Sequence, residues 1–146
     1  MKPRIVILSF LIFFAAGGSA LGEQAKRISI DAVLGLAGEA GGIIKSFGYQ
    51  LIKGFVSVEA SFAVFAHTYP LSGNLTLQLP LGPFAPFITT GYGYSLSGFS
   101  VSNTGTGLKI WVSENTALLL EYRRFKYDYF GKQTTKLIGA GFAYRL

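Results

Sequence analysis

The sequence predicts an all-β fold, in which eight antiparallel strands run up and down in order and close into a transmembrane barrel. Three observations indicate this fold. Only 14% of the residues are charged, 15% are aromatic, and the mean hydropathy is +0.43. After the N-terminal segment, no apolar run approaches the ~20 residues of a membrane-spanning helix. Apolar residues instead recur at every second position, in segments of roughly ten residues separated by turn signals.

The N-terminal segment, residues 1–22, has the order of a secretory signal peptide. The basic start "MKPR" precedes a mostly apolar stretch from Ile5 to Ala16, and the small residues of "GGSALG" follow. We expect cleavage after Ala20 or Gly22, and a single barrel domain over residues 25–146. The apolar stretch is shorter than a spanning helix, which disfavours the alternative of a retained membrane anchor.

The first four predicted strands place aliphatic residues on one face and small or polar residues on the other. Their ranges are Arg27–Gly38, Gly42–Ile52, Gly54–Phe65 and Gly73–Leu81. The third is typical, because Val56, Val58 and Phe62 alternate with Ser57 and Glu59. The second is the least regular of the set. This alternation indicates strands with one apolar face.

The last four predicted strands continue the pattern to the final residue. Their ranges are Phe84–Leu96, Gly105–Val112, Thr116–Tyr127 and Leu137–Leu146. In the seventh, Leu118 and Leu120 alternate with Glu121 and Arg123. In the last segment, "LIGAGFAYRL", every second residue counted back from Leu146 is apolar and the residues between are mostly small. We expect it to pair with the first strand so that neither sheet edge remains open.

The connections between the strands are predicted to alternate in length. Short turns are expected at Lys53-Gly54, Leu81-Gly82-Pro83 and Ser113-Glu114-Asn115. Longer loops are expected around Ala40, His67–Ser72, Ser97–Thr104 and Asp128–Gln133. Short turns at one end and longer loops at the other are typical of outer-membrane barrels.

The less apolar face of the strands carries a balanced set of charges. Its three acids and three bases are Asp31, Glu59, Lys109, Glu121, Arg123 and Arg145. If the aliphatic face meets lipid, these side chains line the lumen, and eight strands leave a lumen just wide enough for side chains to fill. We expect a salt-bridge network that plugs the lumen, with a gated pathway as the alternative.

Three blocks resemble the small outer-membrane β-barrel family of OmpA-like and OmpX-like proteins. They are "NLTLQLPLGPFAPFITTGYGYS", "GLKIWVSENTALLLEYRRFKY" and "GAGFAYRL", in the family's order. The resemblance implies localisation in the outer membrane and insertion by its assembly machinery, which reads the closing strand. Here that signal would consist of Ile138, Ala140, Phe142, Tyr144 and Leu146. The family usually ends on an aromatic residue, whereas this chain ends on Leu146.

The sequence gives little support for catalysis, and we expect no enzymatic activity, cofactor or metal. There is no cysteine and a single histidine, His67. Small barrels that deacylate lipid A share a His-x-Ser pair and a carboxylate, but no serine stands two positions after His67. A small lipid A-modifying enzyme therefore remains an alternative only.

The expected partners are outer-membrane lipid, lipopolysaccharide and the assembly machinery, whereas nucleic acid is not expected for an exported chain. Basic residues near the outer rim could contact lipopolysaccharide phosphates: Lys45, Arg124, Lys126, Lys132 and Lys136. The expected role is structural, or an interaction through the outer loops with a surface ligand that the sequence leaves open. A second alternative is a soluble periplasmic barrel that binds an apolar ligand, with its aliphatic face inward.

Overall fold

The computed structural model describes residues 28–37, 40–65, 68–128 and 130–146. The predicted signal peptide and His67 lie outside these residues. The strands are β1 (Ile28–Ala37), β2 (Ala40–Ile52), β3 (Val56–Phe65), β4 (Pro70–Gln78), β5 (Phe84–Ser95), β6 (Ser100–Trp111), β7 (Thr116–Asp128) and β8 (Lys132–Arg145). Within the described residues, no helix is long and apolar enough to cross a membrane.

The eight strands form one closed antiparallel barrel in sequence order. Each strand pairs with its neighbours in the chain, and β1 also pairs with β8, where Ile30 faces Tyr144 and Leu36 faces Ile138. The pairing of β1 with β8 satisfies the backbone donors and acceptors of the first and last strands, so no sheet edge remains. The predicted fold class and the predicted pairing of the last strand with the first are confirmed.

The two ends of the barrel carry connections of similar length. The turn end has residues 53–55, 79–83 and 112–115, which include the three predicted short turns. The loop end has residues 38–39, 66–69, 96–99 and 129–131. The prediction of longer loops at this end is therefore wrong.

The error in loop length arises because three strands begin earlier than predicted. β4 begins at Pro70, β6 at Ser100 and β8 at Lys132, several residues before the predicted starts. The added outward residues of β6 and β8 are polar, among them Ser102 and Thr134, and the backbone ladder does not require an apolar side chain. On β4 the added outward residue is Leu71, which is apolar. β4 ends at Gln78 rather than Leu81, shortly before Pro80, which has no N–H to donate.

Two glycines allow close approach between neighbouring strands of the barrel. A Cβ on Gly93 would lie 1.9 Å from the carbonyl oxygen of Leu71, and one on Gly141 would lie 1.8 Å from that of Ala32. Both contacts are with backbone, which cannot move aside as a side chain can. Gly141 therefore fits the β1–β8 seam because it has no side chain.

Candidate functional site

The outer wall of the barrel carries most of its large apolar side chains. Leu34, Leu36, Ile138 and Phe142 are each between 63% and 67% exposed. The outward apolar belt consists of Ile30, Leu34, Leu36, Ile43, Phe47, Phe62, Val64, Leu71, Leu75, Leu77, Ile88, Leu118, Leu120, Ile138 and Phe142. Members of this belt occur on seven of the strands, and Leu108 and Ile110 continue it outward on β6. The predicted orientation of the aliphatic face is observed.

The six predicted lumen charges face inward, and two ion pairs form among them. Lys109 Nζ lies 3.1 Å from Asp31 Oδ2, joining β6 to β1 across the lumen. Arg123 pairs with Glu121 on the same strand, and its Nε donates to Glu121 Oε1 at 2.6 Å. All four side chains are buried. Such pairing offsets the cost of removing each charge from water.

The remaining two predicted charges, Glu59 and Arg145, are held differently. Glu59 is buried and accepts a hydrogen bond from Ser57 Oγ at 3.3 Å, and it makes no ion pair with any described residue. Arg145 lies at the turn end, where its guanidinium carbon is 4.0 Å from the centre of the Trp111 ring. Stacking on an aromatic face suits the planar guanidinium.

Hydroxyl and amide side chains join the charged residues into a polar layer. Asn74 Nδ2 donates to Ser61 Oγ at 2.6 Å, and Asn103 Nδ2 donates to Asn74 Oδ1 at 2.8 Å. Arg123 Nη1 also donates to Ser61 Oγ, at 3.5 Å. Strands β3, β4, β6 and β7 are therefore linked through the lumen by side chains as well as by their backbones.

Nearer the loop end the lumen is filled by apolar side chains, which the sequence reasoning did not single out. This lumen plug consists of Val33, Ile44, Phe65, Val101, Phe125, Tyr127 and Leu137, all at most 7% exposed. The Phe65 ring centre is 4.9 Å from that of Phe125 and 6.1 Å from that of Tyr127. The sequence did contain a sign of this plug, because Phe125 follows Arg123 by two residues and therefore lies on the same inward face of the strand.

The five basic residues predicted to meet phosphates all project outward, but they do not form one group. Four lie in the loop-end half of β7 and β8, and we call them the basic cluster: Arg124, Lys126, Lys132 and Lys136. Lys45 lies apart on β2, where its neighbours across the sheet are Ala32 and Phe62.

The described part of the chain shows no constellation typical of a metal centre, since no three His, Cys, Asp or Glu residues there could share an ion. The sole histidine, His67, lies outside the described residues, so its surroundings give no test of catalysis. The chemistry that the observed side chains support is ion pairing and hydrogen bonding within a filled lumen, and anion contact on the outer wall.

Comparison with models of known protein families gives no match, and comparison with curated protein sequences gives none either. Several solved structures share the fold. A de novo designed transmembrane β-barrel solved by NMR is 20% identical, with a TM-score of 0.67, over 86% of this chain and 98% of that chain. Neisserial surface protein A is 12% identical, with a TM-score of 0.59, over 82% of this chain and 94% of that chain.

A further solved structure with this fold is that of the outer membrane enzyme PagL. It is 15% identical, with a TM-score of 0.55, and the match covers 81% of this chain and 99% of that chain. At these identities the likeness shows the fold alone. The chain thus has the fold of small eight-stranded outer-membrane barrels, and the narrower resemblance to the OmpA-like and OmpX-like family stays a prediction.

Proposed function

We propose that this chain is an integral protein of the bacterial outer membrane, with a structural role and a lumen closed to solutes. The observation that carries the proposal is the outward apolar belt, combined with the inward position of the three acids and three bases predicted for the lumen. Each large apolar side chain moved from water into hydrocarbon contributes about 1.5–3 kcal/mol. A closed barrel also leaves no backbone group unpaired in lipid.

The filled lumen supports a non-conducting protein rather than a gated pathway. The lumen plug lies above two ion pairs and a polar layer, so a hydrated ion would have to displace both apolar packing and buried charge pairs. Opening a path would therefore break contacts over much of the barrel length. This is the basis for preferring a structural role to transport.

Because the connections at the loop end are short, a protein or lipid partner would contact the outer wall rather than the loops. With only two to four residues between strands there, the loops offer little surface, and contacts with neighbours would involve the outer wall. Insertion would use the assembly machinery. Of the predicted signal residues, Ile138, Ala140, Phe142 and Tyr144 project outward from β8, and Leu146, directly after the strand, is exposed. Export through the predicted signal peptide belongs to the same proposal.

The two alternatives make different predictions. A soluble apolar-ligand barrel requires the aliphatic residues inside, whereas Leu118 and Leu120 point outward. A lipid A-modifying enzyme would change the mass of lipid A when the protein is expressed, and mass spectrometry of extracted lipid A tests this. The likeness to PagL concerns the fold and adds nothing about activity.

Cell fractionation and gel migration test the membrane assignment, and planar bilayer recordings test closure of the lumen. We expect the protein in the outer-membrane fraction, with a band that migrates differently before and after boiling, as an intact barrel does. We expect no stable current steps from the purified barrel. Recovery in the periplasmic supernatant would refute membrane insertion, and reproducible single-channel steps would refute the closed lumen.

A further inference from the structure

The outward surface changes chemistry partway along β5 to β8. On β7, Leu118 and Leu120 are followed toward the loop end by Arg124 and Lys126. On β8 the apolar residues likewise give way to lysines, and on β6 to serines and threonines. On β5 they give way to Thr90 and Tyr92. On β1, β3 and β4 the outward residues stay apolar or small along the strands. The loop-end half of the β5–β8 wall is therefore a separate polar surface directly above the outward apolar belt.

Within this surface the basic cluster holds like charges next to one another. Arg124 is paired directly with Lys136 in the β7–β8 register, which places their Cβ atoms roughly 4.5–5.5 Å apart. None of the four cations forms an ion pair with a described residue, although Asp128 is the register partner of Lys132. Like charges placed opposite one another destabilise a sheet unless an anion lies between them.

Hydroxyl side chains and a surface hollow lie next to the basic cluster. Arg124 is also paired with Thr104, and Lys126 with Ser102, in the β6–β7 register. A hollow of about 440 Å³ lies here, and its lining includes Tyr92, Ser100, Ser102, Lys126, Lys132 and Thr134. Two ammonium groups and several hydroxyls line this hollow beside the carboxylate of Asp128, whereas Arg124 and Lys136 lie on the adjoining outer wall, outside the lining. Ammonium, guanidinium and hydroxyl donors are groups that bind phosphate oxygens.

We propose that the basic cluster and this hollow bind the phosphate groups of a phosphorylated glycolipid in the leaflet at the loop end. The proposal rests on the membrane insertion proposed above, because the cluster then lies at headgroup level. Belt residues Ile138 and Leu120 lie below it on the same strands, where the acyl chains would pack. A free phosphate would gain the charge contacts but not this apolar contact, which is why a lipid is favoured.

Titration of the micelle-refolded barrel with lipid A, followed by native mass spectrometry, tests the proposal. The test variant is Arg124→Gln/Lys136→Gln, and the matched control is Lys45→Gln, another outward cation far from the cluster. We expect wild type and control to bind lipid A equally, and the test variant to bind roughly thirtyfold more weakly, since each basic side chain at a membrane surface contributes roughly fivefold.

Equal lipid A affinity of wild type and the test variant would overturn the proposal. So would displacement of lipid A by inorganic phosphate at matched phosphate concentration, or equally tight binding of phosphatidylglycerol, which carries one phosphodiester. If the test variant does not refold, Lys126→Gln/Lys132→Gln is measured instead against the same control. Loss of the heat-modifiable band in wild type would contradict membrane insertion, whereas a normal band with unchanged lipid A binding contradicts only this site.

Discussion

Asp31 and Lys109 show how single residues fix the inside of this barrel. They are 78 positions apart in sequence and meet across the lumen at 3.1 Å. The alternation of the strands predicted that both face inward, but it could not predict that they meet, because β1 and β6 are not neighbours. Glu121 and Arg123 are simpler, since residues two apart on one strand share a face.

Substitution of Lys109 by Met should destabilise the barrel by about 3–5 kcal/mol, because Asp31 would be left charged and unpaired in the lumen. The double variant Asp31→Asn/Lys109→Met should recover much of this loss, since neither group then carries a charge. Urea unfolding in lipid vesicles measures the free energy, followed by the fluorescence of Trp111, the only tryptophan in the chain. Equal stability of the single and double variants would argue against a stabilising pair.

The close approach at Gly141 gives a second prediction for a single residue. An alanine there would place its Cβ against the Ala32 carbonyl oxygen, and relief requires moving the β1–β8 seam. We expect Gly141→Ala to destabilise the barrel by about 1–3 kcal/mol or more. The control is Gly41→Ala, because a Cβ at Gly41 has no neighbouring atom within 4 Å. A similar effect of both changes on the unfolding free energy would show that the seam is not tightly packed.

At the level of the strands, the largest errors in the predicted starts occur where the outward residues are polar. The starts of β5 and β7 were predicted correctly, at Phe84 and Thr116. The starts of β6 and β8 were missed, because the outward positions there carry Ser102, Lys136 and similar residues that interrupt the apolar alternation. The inward positions still alternate with the outward ones, because Val101 and Asn103 are both buried. A search for the inward-facing residues would therefore have found the starts of these strands.

The change from apolar to polar outward residues along β6 and β7 predicts that the loss of unfolding free energy caused by a new outward charge depends on its position. Leu120→Arg puts a cation within the outward apolar belt and should cost about 2–4 kcal/mol in a lipid bilayer. Ser102→Arg, on the neighbouring strand beside the basic cluster, should cost at most about 1 kcal/mol. Unfolding of both variants in vesicles checks the difference. Equal costs would mean that the two positions lie in the same environment.

The whole molecule is a closed cylinder that is apolar outside, except on the loop-end half of the β5–β8 wall, and both charged and apolar inside. Closure and orientation followed from alternation and strand number alone. The lumen plug and the similar lengths of the connections at the two ends were not predicted, because charges mark the less apolar face and polar outward residues interrupt the apolar alternation of β6 and β8. The contacts of Asp31 with Lys109 and of Phe65 with Phe125 join strands that are distant in sequence, and a local pattern does not contain them.

The central claim, that the outward apolar belt lies in hydrocarbon, can be measured directly with spin labels. The chain has no cysteine, so Leu118→Cys, Leu120→Cys and Lys126→Cys each give one labelled site. In vesicles, we predict that dissolved oxygen relaxes the labels at 118 and 120 strongly while a water-soluble nickel complex does not, and that the label at 126 shows the reverse. Nickel access at 118 and 120 equal to that at 126 would contradict the account.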